Sequence, residues 1–193
     1  MWERKTARSE VKTMEMRVIS ALYAYPQLER IGRDYEEHVK NKALLSYGNK
    51  METEKLAEYL AIEIVRRQNV AKLKEELDSV IAKLNEEEKT LLDVRYFGKA
   101  DRVRRIFAAQ KAGLCKLPYK VWSERTYYRK QSRLLQHIVA QLKAKGWTEE
   151  SFDNDYLEIE FVALLYQYLV LGKAVSSDKK ERQFLDFLAQ IRE

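Results

Sequence analysis

The stretch SERTYYRKQSRLL (residues 123–135) carries Arg125, Tyr128, Arg129 and Arg133 at three- and four-residue spacing. On a helix that spacing gathers them on one face. Arginine there can pair with phosphate or bond a guanine edge through two donors. Tyrosine can stack or bond to phosphate. Lys130 falls on the flank and suits a phosphate contact. Tyr127, Leu134, Leu135, Ile138 and Leu142 fall on the opposite side, with Gln131 among them. A helix docked by that apolar seam presents its arginines to solvent, and Ser123 is its natural N-cap. The pattern favours contact with DNA over an ordinary charged surface helix.

Charge along the chain points the same way. The net charge of +6 is unevenly spread. Residues 95–145 hold fourteen Lys and Arg against two acids, a segment charge of +12. Residues 146–193 hold five bases and ten acids, and the first 94 residues come to −1. A basic block of this kind is the footprint of a polyanion partner. Arg102, Arg104, Arg105 and Lys120 lie within it and are candidates for phosphate contacts. The alternative is a solvated basic surface balanced by the acidic C-terminal part.

The elements that must hold these side chains read as helices. The chain is 46% hydrophobic with only two prolines and six glycines, and helix formers dominate. The expected fold is all-α: a multi-helix bundle with a long central helix and an expanded helix-turn-helix-like unit. A first helix spans about 9–25, and Pro26 ends it or opens the next. A second runs over about 27–47, and Gly48, Asn49 and Lys50 form a turn. A long helix follows from about 52 to 84, roughly 50 Å at 1.5 Å per residue. It serves as a coiled-coil arm or as the spine on which two lobes pack, or else it is one helix of a single continuous bundle.

Asn85 is a good N-cap, with Glu88 at the capping-box position. Glu86, Glu87 and Glu88 point in different directions and suit the positive end of a helix dipole better than a metal or acid–base cluster. That helix continues through Phe97 to Gly98. A basic helix over about 100–112 comes next, then LCKLPYKVW (residues 114–122) as a connector in which Pro118 bars a helix. The helix from Ser123 runs to Gly146, and helices over 148–171 and 178–191 close the chain. Three regions follow from this division: 1–84, 85–146 and an acidic 147–193.

LNEEEKTLLDVRYFGK (residues 84–99) followed by SERTYYRKQSRLL resembles region 4 of bacterial sigma-70 factors. It is more similar still to the ArpU-like regulators of phages and prophages of Gram-positive bacteria. The matching features are an acidic N-cap, a helix ending in Arg-Tyr-Phe and a recognition helix opening Ser-x-Arg-Thr, over about residues 84–142. The resemblance implies Ser123 as cap and Glu124, Arg125, Thr126, Tyr128, Arg129 and Arg133 facing DNA. The family pattern has a short turn before the recognition helix. Here a longer basic segment, KADRVRRIFAAQKAGLCKLPYKVW, stands in its place, so the helix-turn-helix is expanded.

Other chemistry finds little support. His38 and His137 are far apart in sequence, and Cys115 has no paired base nearby. No phosphate-binding glycine loop or metal-ligand spacing occurs. The expectation is a non-enzymatic protein without catalytic residues, cofactor or metal. MWERKTARSE does not read as a signal peptide. FVALLYQYLVL (residues 161–171) is about half a membrane span, which favours a cytoplasmic protein. The partner expected is double-stranded DNA, with RNA polymerase and a second copy of the chain as further partners. Alternative readings are a helical protein-interaction module and a small-terminase-like packaging component.

Overall fold

A computed structural model describes residues 3–46, 53–97, 115–117, 120–122 and 124–171. Helix α1 spans Glu3–Ala24, and a 3₁₀ turn at Tyr25–Gln27 takes Pro26 in its first positions. Helix α2 is Leu28–Ser46, α3 is Thr53–Ile81 and α4 is Glu86–Leu92. A π-turn follows at Asp93–Phe97. Strands β1 (Cys115–Leu117) and β2 (Lys120–Trp122) precede α5 (Glu124–Ala144), α6 (Glu149–Tyr156) and α7 (Glu160–Leu171). The fold is the expected all-helical bundle, with one small hairpin of strands. No helix among the described residues is long and apolar enough to cross a membrane.

Several boundaries differ from the sequence reading, each for a physical reason. Helix α1 starts six residues before the expected Ser9. Apolar periodicity marks the part of a helix that is buried; Glu3–Arg8 has no such pattern yet contains good helix formers. The helix after Asn85 loses α-geometry at Asp93 and finishes as the π-turn. Within the connector, residues 115–117 and 120–122 pair as antiparallel strands, with Cys115 opposite Trp122, Lys116 opposite Val121 and Leu117 opposite Lys120. Proline disfavours α-geometry in the residue before it, here Leu117, and Val121 and Trp122 suit a pleated backbone. The single helix expected over 148–171 is two, broken at Leu157–Ile159. Asp153 and Asp155 sit in the last turn of α6, where negative charge opposes the helix dipole. The expected turn at 48–50, the basic helix over 100–112 and the last helix over 178–191 lie outside the described residues.

One cluster of buried side chains runs through all three sequence regions. Met14, Val18 and Leu22 of α1 meet Val70, Leu73 and Leu77 of α3, Leu134, Ile138 and Leu142 of α5, and Val162 and Leu165 of α7. The C-terminal half of α3 enters this core, while its N-terminal half packs against α2 and leaves Ile62, Ile64 and Val65 exposed.

Polar ties fix the layers around that core. Arg17, 7% exposed, forks onto Asp153 of α6 through Nε to Oδ1 at 2.8 Å and Nη2 to Oδ2 at 2.6 Å. Its Nη1 also reaches Glu149 Oε2 at 3.1 Å. Trp147 Nε1 and the Tyr156 hydroxyl both donate to Glu76 Oε2 at 2.5 Å, joining α6 to α3. Burial first, then the hydrogen bond to Glu76, pushes the Tyr156 hydroxyl well above its ordinary pKa, so it stays a donor. Helix α5 ends at Ala144, two residues before Gly146, whose φ of +96° only glycine adopts easily. There the Trp147 N–H returns to the Leu142 carbonyl at 3.1 Å and the chain turns into α6.

Candidate nucleic-acid interface

Helix α5 owes its orientation to the seam read from sequence. Tyr127, Leu134, Ile138, Val139 and Leu142 are buried, and Leu135 is half-buried. Gln131, polar amid that seam, donates from Nε2 to the Tyr127 hydroxyl at 2.5 Å. This bond gives the Gln131 amide a partner within the seam, so a polar side chain is accommodated among apolar ones.

The arginine row faces solvent. Arg125, Arg129 and Arg133 are exposed and make no hydrogen bond or ion pair with any other described residue. Tyr128 is 46% exposed, its ring edge-on to Tyr127 with centroids 5.7 Å apart. Thr126 is half-buried. From Arg125 to Arg133 the helix rises roughly 12 Å, about the width of the major groove of B-DNA. Three unpaired guanidinium groups over that length give a focused positive strip.

Lys130 stands apart from the row. It is half-buried and donates to Glu87 of α4. About two turns further on, His137 Nδ1 lies 3.0 Å from Glu88 Oε1, and its Nε2 lies 2.9 Å from the Gln141 amide nitrogen. The Nδ1–H donates to the carboxylate, and the other ring nitrogen meets the Gln141 side-chain amide. The acidic first turn of α4 therefore brackets one flank of α5, and the arginines occupy the other. The capping box is as expected. The Asn85 side chain accepts the Glu88 N–H at 2.9 Å, and Glu88 Oε2 accepts the Asn85 N–H at 3.0 Å. Glu88 thus uses one oxygen on its own helix and the other on α5.

This dual use sets a pH response. Burial would raise the Glu88 pKa, but the Asn85 backbone donor and His137 outweigh it and hold the carboxyl below its ordinary range. A depressed carboxylate stabilises the fold above its unfolded-state pKa and loses that contribution as pH falls through the lower folded-state value. Glu88→Gln is expected to cost about 1 kcal/mol at neutral pH and to flatten the acid limb of stability against pH. Urea denaturation of both proteins from neutral pH to below the ordinary carboxylate range checks this. Parallel curves at every pH would remove Glu88 from the account.

The remaining candidates lie away from the described side chains. Glu124 opens α5 and Lys120 pairs in β2 opposite Leu117, by backbone alone. Arg102, Arg104, Arg105 and Ser123 are outside the described residues. One further residue joins the row: Gln136 is exposed, three positions after Arg133. Its spacing was the available signal, and its amide is suited to an adenine edge. No protein-family model matches the chain, and no curated protein or solved structure is detectably similar to it.

Proposed function

We propose that the protein binds double-stranded DNA as a sequence-specific transcription regulator of the sigma-region-4 type, with α5 as its reading helix. The observation that carries this is the exposed row Arg125, Arg129 and Arg133 on a helix held by a buried seam. Support comes from the +12 charge of residues 95–145, and from the capped α4 set against the flank of α5. The N-terminal turns of α5 read bases, Gln136 extends the contact, and the basic block supplies phosphate contacts.

Selection of bound fragments from random duplex DNA tests the proposal. An enriched motif is expected. Arg125→Ala and Arg129→Ala are each expected to lower affinity for it by about 5- to 150-fold and to relax preference at one or two base pairs. Wild-type affinity and selectivity in both variants would remove α5 from the reading face. A helical interaction module is the second reading, favoured by the exposed Ile62, Ile64 and Val65 on α3. It predicts no DNA affinity at low salt together with stable self-association or capture of RNA polymerase.

A further inference from the structure

Helices α2, α3 and the start of α7 line an open cleft of about 440 Å³ that shares no residue with α5. Its volume is in the range of small-molecule sites. Glu63 lies in its wall, 4% exposed, on the half of α3 where the neighbouring Ile62, Ile64 and Val65 face outward. That inverts the usual burial pattern. A carboxylate is costly to bury, and apolar residues of the same volume generally serve a fold at least as well as a buried ion pair. Arg66 Nη1 neutralises Glu63 at 2.8 Å, yet Arg66 Nε is itself buried with no hydrogen-bond partner. Arg66 Nη2 also stands 3.7 Å from Glu158 Oε2, so the pair ties α3 to the turn before α7 while its Nε–H stays free.

The lining identifies the class of ligand. Asp34 and Glu160 also line the cleft, are exposed, and form no ion pair with any described residue. With Glu63 they set three carboxylates against one guanidinium, an excess of negative charge that repels anions. His38 is engaged with the Tyr59 hydroxyl at 2.5 Å. Among the described residues no three His, Cys, Asp or Glu side chains are placed to hold a metal ion. The acceptors are thus spread around a volume larger than a bare cation. Tyr35 and Tyr59 add aromatic surface. The Tyr59 ring already attracts an ammonium, since Lys42 Nζ stands 5.5 Å from its centroid. Carboxylates beside aromatic faces are the means by which proteins hold organic ammonium groups.

We infer that the cleft between α2, α3 and α7 binds a small organic ammonium ion, with Glu63, Asp34 and Glu160 as its counter-charges and Tyr35 and Tyr59 as its walls. The Arg66 Nε–H offers a donor to an oxygen carried on the same ligand.

Titration calorimetry on the full chain, at physiological ionic strength, tests this with putrescine and choline. The controls are their neutral counterparts, butane-1,4-diol and 3,3-dimethylbutan-1-ol. One-site binding of at least one of the two cations is expected, with its neutral counterpart at least about tenfold weaker. Asp34→Asn and Glu63→Gln should each weaken it by about tenfold. Asp34 is exposed and pairs with no other described residue, so its variant keeps the fold even where Glu63→Gln does not. No saturable binding of either cation, equal binding of the neutral compounds, or unchanged affinity in Asp34→Asn overturns the inference. None of these results depends on DNA binding.

Discussion

Arg17→Met is expected to destabilise the protein by about 3 kcal/mol, more than any single change on its charged surface. Arg17 is the buried member of a cluster whose carboxylates, on Asp153 and Glu149, are only partly buried. Removing one partner of a buried pair commonly costs about 3–5 kcal/mol, because the other charge is left unpaired in a poor solvent. Here the stranded groups are more than a third exposed and can rehydrate, which places the cost at the lower end. Methionine keeps the apolar stem, so the loss reports the guanidinium and not a cavity. The group is firmly cationic: the hydrogen bond to Asp153 raises its pKa against the opposing effect of burial. Its ring contact with Tyr166, 5.2 Å from the centroid, extends the tie to α7. Urea denaturation should show a lower midpoint with an unchanged m-value. Lys74→Ala, which removes a surface pair with Asp78 at 2.9 Å, should change stability by less than about 1 kcal/mol. Similar effects from the two substitutions would show that Arg17 behaves as a surface charge.

Local rules made part of this architecture legible in sequence. The capping box at Asn85 and Glu88 follows from two residues three positions apart. The α5 seam follows from a 3.6-residue period, and both are present as read. What stayed hidden is choice of partner across long separations. Lys130 finds Glu87 at 43 residues' distance, His137 finds Glu88 at 49, and Arg17 finds Asp153 at 136. Periodicity says that Lys130 lies on a flank; it does not say that an acidic helix end lies beside that flank. The triplet Glu86–Glu88 shows the same limit. Its value to the helix dipole is local and readable, whereas the reach of Glu87 and Glu88 to α5 depends on tertiary packing.

The break between α6 and α7 was obscured for a related reason. Apolar residues continue at helical spacing from Phe152 through Leu165, so the pattern alone favours one rod. The structure instead buries Tyr156 beside Glu76 and Ile159 in the core, with Asp153 and Asp155 drawn to Arg17 and Lys72. Those four contacts outweigh the few helical hydrogen bonds lost at the break. The candidate site is partly legible on the same terms. The spacing of Arg125, Arg129 and Arg133 placed them on one exposed face. Lys130 shares their charge but not their freedom, because its surroundings come from another helix.

That distinction leads to the largest expected effect on binding. Replacing Arg125, Arg129 and Arg133 together with alanine is expected to weaken affinity for the selected duplex at least about 100-fold, since each direct contact contributes about 1–3 kcal/mol. The slope of log K against log salt should fall by about 0.9 for each arginine that neutralises a phosphate, and by less for one that reads a base edge. The three side chains are exposed and pair with no other described residue, so stability should stay within about 0.5 kcal/mol and the loss belongs to binding. A matched variant separates geometry from net charge. Arg33, Lys40 and Arg67 lie on the α2–α3 hairpin, each already paired with a carboxylate on Glu29 or Glu36. Their triple alanine variant removes the same formal charge from a different surface. If α5 is the reading helix, that variant retains most of its affinity and its salt slope. Equal losses in the two variants would mean that binding follows total charge, and the arginine row would then have no special part in it.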